Sequence, residues 1–213
     1  MIRKLLLVTA AVAMPVGMIA ATGGIASAKA PPVDATHLDV TCTTISGSAT
    51  FVPPVTDNES AGSASIKIKA KLSGCTATGG VTVKSGAVTG TLTTTRTAGE
   101  NGCTALAGGS LATGPLTTKW KTTPALTSGS SVVNVNSISG GIGGDGNASF
   151  QIPGTVPNSP PSGSFQGTDS GAGDATSAQT TTAALSILAT CDAKGLKSLK
   201  LKSPQTGAAV SLS

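Results

Sequence analysis

The chain has 213 residues, with 14 Lys and Arg against 9 Asp and Glu and a formal charge of +5, and only 11% of its residues are charged. So mild a positive balance is no argument for a nucleic-acid partner, and low charge with 38% hydrophobic residues is not the composition of a disordered chain. Three Phe, one Trp and no Tyr leave little material for the aromatic girdles of a membrane pore, whereas abundant Thr, Ser, Val and Gly predict short strands and tight turns.

Residues 1–28 predict a cleavable secretory signal peptide. Arg3 and Lys4 give a positive start, Leu5 to Ala13 is apolar, and Ala26-Ser27-Ala28 carries the small-x-small pattern that signal peptidase reads. An uncleaved anchor is the weaker reading, because the stretch from Leu5 to Ala21 is broken by Pro15 and Gly17 and is short against the roughly 20 residues of a bilayer span. No transmembrane span is expected once the leader is removed. Residues 29–38 then read as a flexible N-terminal arm and 39–213 as a single domain.

Within that domain, period-two alternation dominates. Asp39 to Val52 is the first such stretch, ended by Pro53-Pro54. Ser63 to Leu72 is the clearest strand: Ile66, Ile68, Ala70 and Leu72 fall on one face, and Lys67, Lys69 and Lys71 on the other. Further strands are predicted over Val81–Thr95, Leu116–Thr123, Ser131–Ile138, Asn147–Ile152, Thr180–Thr190 and Leu196–Lys202, with a last one at Ala208–Leu212 and a short one around Phe165. Residues 153–163 and 169–175 read as loops. With no sustained helical period, the expected fold is all-β, an antiparallel two-sheet sandwich of immunoglobulin-like or similar type, stapled by disulfides.

The staples follow from Cys42, Cys75, Cys103 and Cys191, an even count in a chain read as exported. If the first two strands form a hairpin, Cys42 and Cys75 meet at its open end, which favours Cys42–Cys75 with Cys103–Cys191. Cys42–Cys191 with Cys75–Cys103 stays open. A metal reading is weak, since no cysteine pair has zinc-knuckle spacing and His37 is the only histidine; no metal and no cofactor is expected.

The order of motifs carries a resemblance. A Cys42 strand ends in Phe51-Val52-Pro53-Pro54, then come LSGC (72–75), GAVTGTL (86–92), NGCTAL (101–106), LTTKW (116–120), GSFQG (163–167) and a late Cys191. This resembles a broad group of small secreted all-β proteins of unknown function from actinobacteria. The resemblance implies export and an all-β fold and supplies no active-site residue. Immunoglobulin likeness is partial: Cys103, Trp120 and Cys191 have suitable spacing, but Ala189 stands where the tyrosine corner requires Tyr.

Catalytic material is sparse. A Ser-His-Asp triad would need His37, in the arm, and Asp145, Asp169, Asp174 and Asp192 all sit in glycine-rich or turn contexts. Gly140 to Asn147 matches most of one calcium β-roll repeat and contains a GxGxxG, yet a single copy with no βαβ unit around it reads as a hairpin loop. The chain is therefore read as a non-enzyme, a structural or binding module of the secreted fraction or cell envelope, with a secreted hydrolase of unrecognised site as the alternative. Lys67, Lys69, Lys71, Lys197, Lys200 and Lys202 form a candidate surface for anionic envelope polymer or lipid headgroups if their two strands share a sheet. The rival reading is that these lysines only keep an exposed strand edge from aggregating.

Amino-terminal sequencing of exported material should begin at Lys29, and an intact Met1 on a membrane-bound form would refute the leader assignment.

Overall fold

The structure, a computed structural model, describes residues 29–108, 112–155, 164–165 and 174–212, so the signal-peptide expectation and Asp169 lie outside the described residues. Ten strands and two helices follow in chain order: β1 (Val40–Val55), β2 (Gly62–Ala77), β3 (Thr82–Arg96), α1 (Gly102–Gly108), β4 (Ala112–Thr123), β5 (Ser130–Val135), β6 (Ser139–Ile142), β7 (Asn147–Thr155), β8 (Asp174–Ala183), α2 (Ala184–Lys194), β9 (Leu196–Lys202) and β10 (Val210–Leu212).

Every strand pairing is antiparallel, and the pairings close on themselves. β1 pairs with β2, β2 with β3, β3 with β4, β4 with β5, β5 with β7, β7 with β8, β8 with β9, and β9 with β1. β6 continues the line of β5 along the same edge of β7, and β10 continues that of β9 between β1 and β8. The all-β, antiparallel, disulfide-bonded reading stands. The two-sheet sandwich is not confirmed, because one sheet is curled into a ring of eight staves. Curling needs local departures from a flat ladder, and register shifts occur at Val83/Ser85, Thr50/Val55 and Asn147/Ser149.

The interior is filled from alternate positions. On β2, Ala64, Ile66, Ile68 and Leu72 are buried, and on β3 Gly86, Val88 and Leu92. The shift at Val83/Ser85 changes the inward phase of β3 from odd to even positions, which a strict alternation would not allow. Gly86 lies opposite Trp120, and a Cβ there would sit 2.8 Å from the indole, so the strand accepts the ring only because the side chain is absent.

Trp120 closes the floor of the barrel. It is buried, as expected from its alternation with exposed Lys119 and Lys121. Its Nε1 donates to Ser131 Oγ at 2.7 Å, and the Ser131 hydroxyl donates to the Ser164 carbonyl. Phe165 meets the indole edge-on, with ring centroids 5.2 Å apart. Phe165 is not in a strand: at φ 55° it is left-handed, and its N–H bonds the carbonyl of Ala35. The N-terminal arm lies against the same floor, with Val33 bridged to Leu126 and Ala35 buried.

Two helices depart from expectation. The strand predicted over Thr180–Thr190 ends at Ala183, and Ala184–Lys194 forms α2, whose buried Ala184, Ile187 and Cys191 recur at helical spacing. α1 lies in the connection between β3 and β4. The disulfides are Cys42–Cys75, directly across the β1–β2 ladder, and Cys103–Cys191, which ties α1 to α2.

Replacing Trp120 with Ala should destabilise the protein by about 3–5 kcal/mol, and native tryptophan emission should be strongly blue-shifted from its unfolded position; emission near the unfolded value would place the ring in water instead.

Candidate functional site

Two places gather chemistry-bearing side chains: the outer wall of the barrel and its open end. The wall comes directly from the pleat. Turning Ile66 and Ile68 inward sends Lys67, Lys69 and Lys71 outward, and turning Leu199 and Leu201 inward does the same for Lys200 and Lys202. Only β1 separates the two strands. Ser48 pairs with Lys69 on one side and with Lys200 on the other, and Thr50 pairs with Lys67 and Ser198. The two lysine rows therefore stand about 10 Å apart, twice the strand spacing, with successive lysines of a row about 7 Å apart.

The array is larger than the six lysines singled out from the sequence. Lys71 pairs with Ala87 of β3, which pairs with Lys119 of β4, and Lys121 follows on the same outward face beside exposed Lys84. These were missed because membership of one wall depends on pairing between distant segments. β1, β2, β3, β4 and β9 contain no Asp or Glu at all. Lys67, Lys69, Lys71, Lys197 and Lys200 are exposed, whereas Lys202 is partly covered and bonded to Asp145 Oδ2 at 3.1 Å.

That bond changes the reading of the glycine-rich loop. Asp145 is not a simply solvated acid: it holds the turn between β6 and β7 against Lys202 and also accepts from the backbone and side-chain N–H groups of Asn147. Burial pushes the Asp145 carboxyl up, but the bonds from Lys202 and Asn147 outweigh it and leave the carboxyl below its usual range. His37 is exposed, with no hydrogen bond to a hydroxyl or carboxylate among the described residues, and Asp192 is exposed on α2. Asp174 begins β8. Among the described residues no group of three or more His, Cys, Asp or Glu converges as a metal site.

At the open end, sequence reasoning missed an ion pair. Arg96, last residue of β3, turns inward and places Nη1 2.6 Å from Glu59 Oε2, with both side chains largely buried. The pair is framed by backbone: Arg96 also donates to the carbonyls of Pro53 and Pro54, and Glu59 Oε1 accepts from Thr56 N–H. Glu59 is positioned by two backbone bonds to the β3–α1 connection, its N–H to Glu100 O and its carbonyl from Gly99 N–H. Gly102 packs directly on it, since a Cβ there would fall 2.2 Å from Glu59 Oε1. Arg96 is the only arginine after residue 28, which is the one signal the sequence offered.

No protein-family model, characterised protein or solved structure matches the chain.

Glu59→Gln should cost about 3–5 kcal/mol in denaturant unfolding, because it leaves the Arg96 charge buried without its partner; a loss under about 1 kcal/mol would mean that the pair is as weak as an exposed one.

Proposed function

We propose that this is an exported, non-catalytic binding protein of the cell envelope or its surroundings, whose lysine wall holds a flexible anionic polymer. The observation that carries the reading is the separation of charge: five adjoining strands hold no acid, and all of them but β1 bear lysines. The rival explanation, edge protection, loses its basis in a closed barrel, because β1, β2 and β9 each have partners on both sides. A convex wall of Lys, Ser and Thr suits a chain that can wrap it better than a planar membrane, which gains affinity from apolar side chains inserted beside the charges. A pair of disulfides agrees with an oxidising compartment, and no helix among the described residues is long and apolar enough to cross a membrane. The wall is also the reverse of a lipid-embedded barrel, which turns its apolar residues outward. Export and actinobacterial kinship belong to the same proposal, supported by the leader pattern and the motif order.

With polyphosphate and heparin as probes, the protein should bind at low salt and be released at high salt, since screening acts over about 8 Å at physiological ionic strength. Changing Lys67, Lys69, Lys71, Lys197 and Lys200 together to Gln should weaken that binding at least tenfold, with Lys84, Lys119 and Lys121 left on the wall, while circular dichroism and Tm persist. Lys202 is left in place because it anchors the Asp145 turn. Salt-independent retention, or equal binding by the five-Gln variant, would refute the proposal; capture by anionic vesicles but not by the polyanions would replace the polymer with a lipid surface.

A further inference from the structure

The open end of the barrel carries a cleft of about 250 Å³, with Phe51, Val55, Ile66 and Leu106 on its apolar side and Arg96 and Glu100 on its polar side. Phe51, Ile66 and Leu106 also border a smaller void of about 40 Å³ between the inward faces of the strands. The cleft therefore has a polar rim and an apolar floor that leads towards the barrel axis. Leu106 stands over both from α1, which Cys103–Cys191 pins to α2.

The rim has unspent donors. A guanidinium has five N–H groups. Arg96 gives two from Nη1, to Pro54 O and Glu59 Oε2, and one from Nη2, to Pro53 O. Among the described residues nothing accepts from Nε–H, and Nη2 keeps a second N–H; Nε and Nη2 together make one of the edges by which a guanidinium pairs with a two-oxygen acceptor. The side chain is 10% exposed, and Nε is not among the buried atoms left without a partner, so this edge meets the water of the cleft, which a ligand head would displace. Glu59 accepts from Thr56 N–H through Oε1 and from Arg96 Nη1 through Oε2, so its contact with the guanidinium is on the Nη1 side.

We propose that this cleft binds a small amphipathic carboxylate, its head on the free edge of Arg96 and its chain between Phe51, Ile66 and Leu106. A planar carboxylate matches that edge, and the exposed acid Glu100 at the rim opposes a more highly charged head. The room equals about eight water volumes, which suits a linear acid of roughly eight carbons.

Octanoate is the probe, with octanol as its uncharged counterpart, titrated calorimetrically into the intact disulfide-bonded protein. Octanoate should bind saturably and about tenfold or more tighter than octanol, the ratio that one charge-assisted contact supplies. Leu106→Trp, which fills the cleft from α1, should abolish binding with Tm retained. Glu100→Gln, at an exposed position, should tighten octanoate binding a few-fold and leave octanol unchanged. Absence of saturable octanoate binding, equal affinity for octanol, or full binding by Leu106→Trp would overturn the inference. If Leu106→Trp lowers Tm, Glu100→Gln decides alone, and no tightening there overturns it.

Discussion

Closure of the sheet is the constraint on which the rest of this structure depends. When β9 pairs with β1, the outermost ladders of a ten-strand meander become interior ones, and each strand has one face turned to the axis and one to water. Nothing remains to be covered by a second layer. A chain with three Phe, one Trp and no Tyr has little with which to build the wide core between two facing sheets. A narrow barrel asks less of it: β-branched and aliphatic side chains reach the axis, and two of its four large rings are spent at one point. Trp120 and Phe165 plug the floor, and Gly86 gives up its side chain to let the indole lie down.

Closure also decides where charge goes. Among the described residues the buried core of the ring is chiefly apolar, small or hydroxyl-bearing, and at the open end Arg96 is turned inward and must be matched. Glu59, the carbonyls of Pro53 and Pro54, and the close approach of Gly102 together match most of it. Most of the remaining cations lie on outward strand positions, where Lys keeps its stem on the wall and its head in water. Acids are confined largely to the ends: Asp34 and Asp39 at the floor, Asp57, Glu59 and Glu100 at the open end, Asp145 in the β6–β7 turn and Asp192 on α2. The result is a basic belt between more acidic ends, produced by strand register rather than by any cluster in the sequence.

What could be read from the sequence follows the range of the interactions concerned. Ile66 and Ile68 against Lys67 and Lys69 is a local pattern, and its strand and both its faces were legible. Cys42 opposite Cys75 needed only one hairpin, and that too was legible. The closing ladder was not, because Ser48 and Lys200 meet across most of the chain and no local pattern says which two strands will find each other. α2 was hidden for another reason. Ala184, Ile187 and Cys191 have helical spacing, but exposed Leu185 and the Thr run before it imitate the end of a strand. The Arg96–Glu59 pair joins the end of β3 to the turn between β1 and β2, and no local pattern says that these two places meet.

The two disulfides sit at different levels of this architecture. Cys42 and Cys75 are already neighbours in a ladder that runs along the whole of β1 and β2, so their bond reinforces contacts that local pairing makes anyway. Cys103 and Cys191 are 88 residues apart, with four of the ring's strands and β6 between them. In the chain-entropy account, a loop of that length is worth about 4.6 kcal/mol against about 3.7 for the 33-residue separation of the first pair. More telling than the difference is what each bond holds. Without Cys103–Cys191, α1 is a helix of seven residues, far too short to persist on its own, and it carries Leu106 and packs Gly102 over Glu59. The wall is made by hydrogen bonds and needs no cross-link. The open end is made by short elements with little backbone pairing of their own, so its shape rests on a covalent tie, and an oxidising surrounding is a condition for the cleft rather than for the barrel.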